Sequence, residues 1–228
     1  MRASILVASA GLLAVGGWLM LRTSEEAAAL EQEIEQGGAG LWTSTEEVLK
    51  EVGQSAVQVW DTITMSLNLN KMRTVTAADV LHPNVRALVA VIRRGEGTAG
   101  PEGYRTLFGG ELFDSFAAHP NRKITRTLGG RSITSTAAGA GQFLYSTWQE
   151  TARIMGLTDF TPASQDRAIV GRIAARGALE DAKAGRFDVA VKKIATEWAS
   201  MPGSPYGQPV ISLATARAVF ASAGGSIA

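Results

Sequence analysis

Between Ala3 and Leu21 the chain is apolar apart from Ser4 and Ser9. As a helix rising about 1.5 Å per residue, that stretch is long enough to cross a bilayer core of roughly 30 Å. No other feature constrains the chain as much, because such a helix cannot sit bare in water and must be treated apart from the rest. Arg2 and Arg22 flank it and are placed to reach the two head-group layers. The run ends in Trp18-Leu19-Met20-Leu21-Arg22 with no small-residue cleavage site, so residues 1–22 read as a retained anchor rather than a removed leader. Six Gly and Ala residues between Ala8 and Gly17 make it weakly hydrophobic, suited to packing on a neighbour or to leaving the bilayer. One basic residue on each side does not fix its orientation.

Residues 23–75 read as a helical stalk. An acidic Ala/Glu stretch from Glu25 to Glu35 is broken by Gly37, Gly38 and Gly40. Ser44 or Thr45 then caps a new helix with Glu46 and Glu47 in its first turn. Val48, Leu49, Val52, Ala56, Val59, Trp60, Ile63 and Leu67 recur at three- and four-residue steps, one helical face. That face makes 43–67 the expected surface for self-association or contact with another protein.

From Thr76 the texture becomes that of a compact domain, 76–228. With 46% hydrophobic and 19% charged residues the chain has enough apolar surface to bury a core. The absence of cysteine excludes disulfides, thiol nucleophiles and Cys-ligated zinc. His82 and His119 are far apart, each before a proline, and form no ligand pair, so neither a metal nor a cofactor is expected. A formal net charge of +1 gives no global field for nucleic acid. The local cluster of Arg122, Lys123, Arg126 and Arg131 reads as a solvated loop or as a face for an anionic polymer.

Within this domain Val85, Leu88, Val89 and Ile92 form one helix face that stops at Gly95-Glu96-Gly97. Residues 98–140, rich in Gly, Thr and Ser, predict loops and a small hairpin lobe. From Ser146 the pattern is helical, clearest over Gln165–Leu179, Phe187–Ala199 and Ile211–Ala223. Helix, loop-rich β lobe and helical remainder predict an α+β domain with a cleft between lobes.

Glycosidic cleavage needs a carboxylic acid that keeps its proton near neutral pH, and burial against apolar walls provides one. Glu96 follows an apolar helix face and has glycines on both sides that leave room for a substrate. Taken alone, Gly-Glu-Gly is equally the signature of a solvated surface residue. Ser135, Thr136 and the small residues up to Gln142-Phe143 supply a loop against which a sugar chain can lie, Gln142 being able to donate to and accept from an N-acetyl group. An ordinary turn entering a helix has the same composition. In the Trp198–Gln208 loop, Trp198 reads as core and Tyr206 as an exposed ring fit for a sugar platform.

Residues 83–224 resemble the lambda-type phage endolysins, lytic murein transglycosylases with a lysozyme-like fold. The resemblance rests on Gly95-Glu96-Gly97-Thr98, Gly103-Tyr104, Gly109-Gly110-Glu111-Leu112-Phe113, His119-Pro120, Ser135-Thr136 with Gly139 and Gln142, and Ser164-Gln165-Asp166. Gly156-Leu157, Asp159-Phe160, Arg176-Gly177-Ala178-Leu179 and the Trp198–Gln208 loop complete it, all in the same order at nearly the same spacing. It implies a mainly helical lysozyme-like domain in which Glu96 is the catalytic acid. Tyr104, Gln142 and Tyr206 then line the cleft, and His119 sits at the lip of the upper lobe. The implied activity is cleavage of the β-1,4 bond between N-acetylmuramic acid and N-acetylglucosamine with closure of a 1,6-anhydro ring. It would serve phage lysis or local wall opening during entry, and the apolar segment 3–21 adds the expectation of a membrane anchor with the domain facing the periplasm. Where that family carries an aspartate after Gly-Tyr, this chain has Arg105, and Ala140-Gly141 replaces bulkier residues. A hydrolytic lysozyme would use a second carboxylate, for which Glu102, Glu111 and Asp114 are the candidates. A non-catalytic peptidoglycan-binding virion or scaffold protein is the other alternative.

Overall fold

Pro83 occupies the first turn of helix α2 (Pro83–Gly95), where its missing N–H costs nothing and its ring pre-sets the backbone. The computed structural model describes residues 68–128 and 131–228. The proposed membrane segment 3–21 and the amphipathic stretch 43–67 lie outside the described residues. Among the described residues no helix is long and apolar enough to cross a membrane.

Val85, Ala87, Leu88, Val91 and Ile92 of α2 are wholly buried, so this helix is wrapped on more than the one face that its periodicity advertises. It packs against α1 (Ala77–Leu81), α4 (Pro162–Ala175), α5 (Leu179–Lys183) and α7 (Leu213–Ser222). Its C-terminus is thereby fixed from several sides, and Glu96 is its C-cap. A capping box starts α1: the Thr76 hydroxyl accepts from the Asp79 N–H, and the Asp79 carboxylate accepts from the Thr76 N–H. The core extends further toward the N-terminus than the change of texture at Thr76 suggested, since Met72 and Val75 are buried in it. Two apolar residues in the short segment Lys71-Met72-Arg73-Thr74-Val75 carry too little periodicity to announce burial.

The small lobe contains an antiparallel ribbon, β1 (Ile124–Leu128) with β2 (Arg131–Ser135), in a register that pairs Ile124 with Ser135 and Thr125 with Thr134. An isolated bridge of Leu107 with Ala138 binds that lobe to the small-residue loop, while Thr106 with Leu112 and Ala138 with Phe143 close turns within each. Helix α3 (Tyr145–Met155) follows, and then α4. The expected helix over Gln165–Leu179 is two pieces, α4 and α5, separated by a turn at Arg176-Gly177. Helix α6 (Phe187–Ile194) is shorter than expected, because Ala195–Ser200 turns to carry Trp198 and Ser200 toward the end of α2. Phe113, Phe116, Phe143, Trp148 and Phe160 form an aromatic cluster joining the small lobe to α3.

Candidate active site

The last turn of α2 delivers Glu96 half-buried at the point where three segments converge. The Thr98 hydroxyl donates to the Ala140 carbonyl at 2.6 Å, which ties the Glu96 turn to the small-residue loop. The Trp198 indole donates to the Gly141 carbonyl at 3.1 Å, which brings in the third segment. Trp198 is therefore core, as expected, and Tyr206 is the exposed ring of that segment, its hydroxyl tied to the Thr196 carbonyl.

Glu96 Oε1 accepts a hydrogen bond of 2.6 Å from the Ser200 hydroxyl. Burial raises the Glu96 pKa above the ordinary carboxylate value, and the Ser200 donation, which favours the charged form, opposes part of that rise. The site thus holds a carboxylic acid biased toward keeping its proton, with one polar group aligned on it. Ser200 was not singled out by the sequence: it lies 104 residues from Glu96, and no spacing rule links a serine after Trp-Ala to a distant acid. The one signal was Gly95. A Cβ there would collide with the Met201 methyl and the Ser200 hydroxyl, so a glycine marks where the distant segment touches the helix.

The expected binding residues are engaged in ways the sequence did not disclose. Gln142 adopts a left-handed backbone conformation, and its Nε2 donates to the Thr106 and Gly139 carbonyls, both at 3.0 Å. Its donor half is taken up inside the turn, and the side-chain carbonyl is what remains for a ligand. The Ser135 hydroxyl accepts from the Ala137 N–H, and that of Thr136 accepts from the Tyr145 N–H at the start of α3. Tyr104 has its hydroxyl on the Asp166 carboxylate and an Arg93 guanidinium over its ring.

His119 is not at the lip of a lobe. It is buried, with Nε2 on the Phe143 carbonyl at 2.8 Å and Nδ1 accepting from the Asn121 N–H at 3.1 Å. Tyr145, Trp148 and Phe160 pack around its ring. That environment holds it neutral and lowers its pKa, burial being the main cause. A histidine before a proline gave no indication of such packing.

Each of the three second-carboxylate candidates is held by arginine. Glu111 lies between Arg122 at 3.1 Å and Arg126 at 2.7 Å, so part of the basic cluster faces this acid. Arg105 reaches Asp114 at 3.0 Å and Glu102 at 3.5 Å, and also donates to the Phe113 carbonyl. The residue that departs from the family pattern therefore ties the Pro101–Arg105 turn to the segment after Glu111. Among the described residues no group of three or more His, Asp or Glu could hold a metal ion.

The family model described as Endolysin matches residues 86–227, more than half of the chain. The endolysin of Escherichia phage P2 is 35% identical over 156 residues, covering 63% of this chain and 94% of the relative. The endolysin of Escherichia phage lambda is 36% identical over 125 residues, covering 55% of this chain and 77% of the relative. A solved structure of bacteriophage lambda lysozyme complexed with a chitohexasaccharide matches with a TM-score of 0.61 at 31% identity, covering 65% of this chain and 98% of that one. A second lambda lysozyme structure gives a TM-score of 0.58 at 32% identity, with the same coverage.

Proposed function

The chain belongs to the endolysin family, and on that premise we propose that it degrades peptidoglycan as a lytic transglycosylase, with Glu96 as its acid. The observation that carries this reading is a half-buried carboxyl whose proton is held by burial and whose polar partner is Ser200. Glu96 protonates the oxygen between N-acetylmuramic acid and N-acetylglucosamine as the bond from that oxygen to the anomeric carbon breaks. The muramic N-acetyl group supports the positive charge developing at that carbon. Glu96, now a carboxylate, takes the proton of the muramic 6-hydroxyl while its oxygen closes on the anomeric carbon. One residue thus serves as acid and then base, and no water is consumed. Ring closure over hydrolysis rests on the resemblance of residues 83–224 to the lambda-type lytic transglycosylases. The chitohexasaccharide bound to the lambda relative supports a glycan strand as substrate. The side-chain carbonyl of Gln142, the hydroxyls of Ser135 and Thr136 and the ring of Tyr206 are the proposed contacts along it.

Mass spectrometry of digested murein tests both parts. The wild type is expected to release muramic ends lighter by one water than reducing ends, and Glu96→Gln to lower the rate by about a hundredfold to ten-thousandfold. Reducing ends would establish hydrolysis instead, and an unimpaired Glu96→Gln would remove the acid assignment altogether. Residues 3–21 are proposed to hold this domain at a membrane, on the length and apolarity of the segment. Cell fractionation checks that: the full chain should pellet with membranes, and a chain lacking 1–22 should not.

A further inference from the structure

Two motifs that this chemistry leaves unexplained, Gly103-Tyr104 and Ser164-Gln165-Asp166, meet at Arg93 in the last turn of α2. The Arg93 carbonyl accepts from the Thr98 N–H at 2.8 Å. Its guanidinium returns to the same residue, with Nε at 3.2 Å and Nη2 at 2.9 Å from the Thr98 carbonyl oxygen, and Nη2 also reaches the Gly100 carbonyl at 3.1 Å. One residue therefore holds both main-chain groups of Thr98, the N–H with its own carbonyl and the carbonyl with its guanidinium, two residues beyond Glu96. The Thr98 hydroxyl in turn holds the Ala140 carbonyl of the small-residue loop.

The guanidinium is itself held in place. It lies 4.4 Å from the centre of the Tyr104 ring, and Nη1 is 3.4 Å from the Tyr104 hydroxyl. That hydroxyl donates to the Asp166 carboxylate, 2.9 and 3.0 Å from its two oxygens. Buried Gln165 donates to the Tyr104 carbonyl at 3.0 Å and accepts from the Ala140 N–H at 2.7 Å. Gly103 completes the fit, because a Cβ there would collide with the Thr98 carbonyl oxygen. Only a planar fork reaches two carbonyls while stacking on a ring; a lysine ammonium does not.

We propose that Arg93 is a positioning residue for Glu96: locked by Tyr104 and Asp166, it clamps the Gly97–Gly100 turn and so fixes the end of α2 that carries the acid. This rests on the reading of Glu96 given above. The charged groups around the turn include Arg86, Arg93 and Arg94 on α2, the Glu102–Arg105 pair that follows Gly100, Asp166 on α4, and Glu197 beside the Ser200 segment, the last paired with Arg172 and Arg176. Among the described residues none forms an ion pair with Glu96, so how firmly its proton is held depends on water exclusion and on Ser200. A loosened turn admits water, which stabilises the carboxylate and lowers the pH at which the acid form is lost.

The full chain carrying Arg93→Lys, Arg93→Met or Tyr104→Phe tests this, with kcat, KM and the pH profile measured on solubilised glycan strands and Tm measured in parallel. For Arg93→Lys and Arg93→Met, kcat is expected to fall by about 10- to 100-fold with KM little changed. The alkaline limb of the profile should move to lower pH, and Tyr104→Phe should do the same more weakly. Folded variants that keep kcat and the position of the limb overturn the proposal. So does a loss of activity that matches the unfolded fraction while the limb stays in place. Glu96→Gln separates the two readings, since its activity would remove the acid itself, whereas its inactivity beside unaffected Arg93 variants would remove only the clamp.

Discussion

Burying a carboxyl that has to carry charge at one step of its cycle costs stability whenever the pH favours the charged form. Glu96 has its pKa raised by burial, so near and above that raised value the folded state holds a charge that the unfolded chain would hydrate more easily. Glu96→Gln is therefore expected to raise Tm at neutral pH. The gain should shrink as the pH falls through the raised value and disappear below the ordinary value of 4.5, where the carboxyl is protonated in both states. Melting curves of the two proteins across that range check this, and a gain independent of pH would contradict it. Ser200 acts in the opposite sense to burial. Removing its donated hydrogen bond in Ser200→Ala should raise the Glu96 pKa further and move the alkaline limb of activity to higher pH, the reverse of the shift expected for the Arg93 variants. Gly95→Ala should resemble Ser200→Ala, because the added methyl displaces Ser200 from Glu96. The contrast reflects what each residue tells a reader of the sequence. A Gly-Glu-Gly break at the end of an apolar helix face draws notice to Glu96, and the resemblance singles it out. Arg93 read as an ordinary cation near a helix C-terminus, and its grip on Thr98 depends on a ring eleven positions away.

At the scale of elements, the segment that delivers Ser200 is anchored by ion pairs rather than by its own secondary structure. Glu197, only 8% exposed, accepts from Arg172 Nε at 2.7 Å and from Arg176 Nε at 2.8 Å, which fastens the turn after α6 to α4. Arg172 also reaches Glu150 on α3 at 2.7 Å, so one guanidinium joins three elements. Removing the acid leaves a buried arginine with half its compensation, and Glu197→Ala is expected to destabilise the fold by about 3 kcal/mol. Arg176→Ala should cost much less, its side chain being 34% exposed. Urea denaturation of both variants tests the ranking, and equal losses would show that packing, not charge pairing, holds the turn. The helices themselves were largely legible: the apolar face of α2 and the late helical blocks follow from three- and four-residue spacing, and the ribbon from turn-rich flanks. Their ends were not. Spacing ran through Arg176-Gly177, where a turn separates α4 from α5, and past Ile194, where the chain leaves α6 to bring in Trp198. Those stops are set by partners elsewhere in the fold, such as Glu197 and the Gly141 carbonyl, which local patterns do not contain.

For the whole molecule, acidification acts on two opposed sets of groups. His119 is kept neutral by burial with its pKa lowered, so its contribution is complete above its ordinary value of 6.5 and is lost as the pH falls through the depressed folded value. Glu96 and Asp166 have pKa values raised by burial, so the fold gains from their protonation as the pH falls toward their ordinary values of 4.5 and 3.8. These slopes oppose one another across the mildly acid range. Lower still, Asp79 is drawn down to about 2 chiefly by its hydrogen bond with Lys183, so the stability of the link between α1 and α5 declines below pH 3.8 and is lost as the pH falls through about 2. Between about pH 6.5 and pH 4.5 the Tm of the wild type should therefore change less than it would with either set alone, and it should fall in stronger acid. His119→Gln, which keeps a donor and an acceptor but cannot titrate, should become more stable as the pH falls through that range. The double variant Glu96→Gln, Asp166→Asn should become less stable, since only the histidine slope is left. If all three proteins trace parallel Tm curves from pH 7 to pH 4, the compensation does not exist and the acid response lies in groups outside this set.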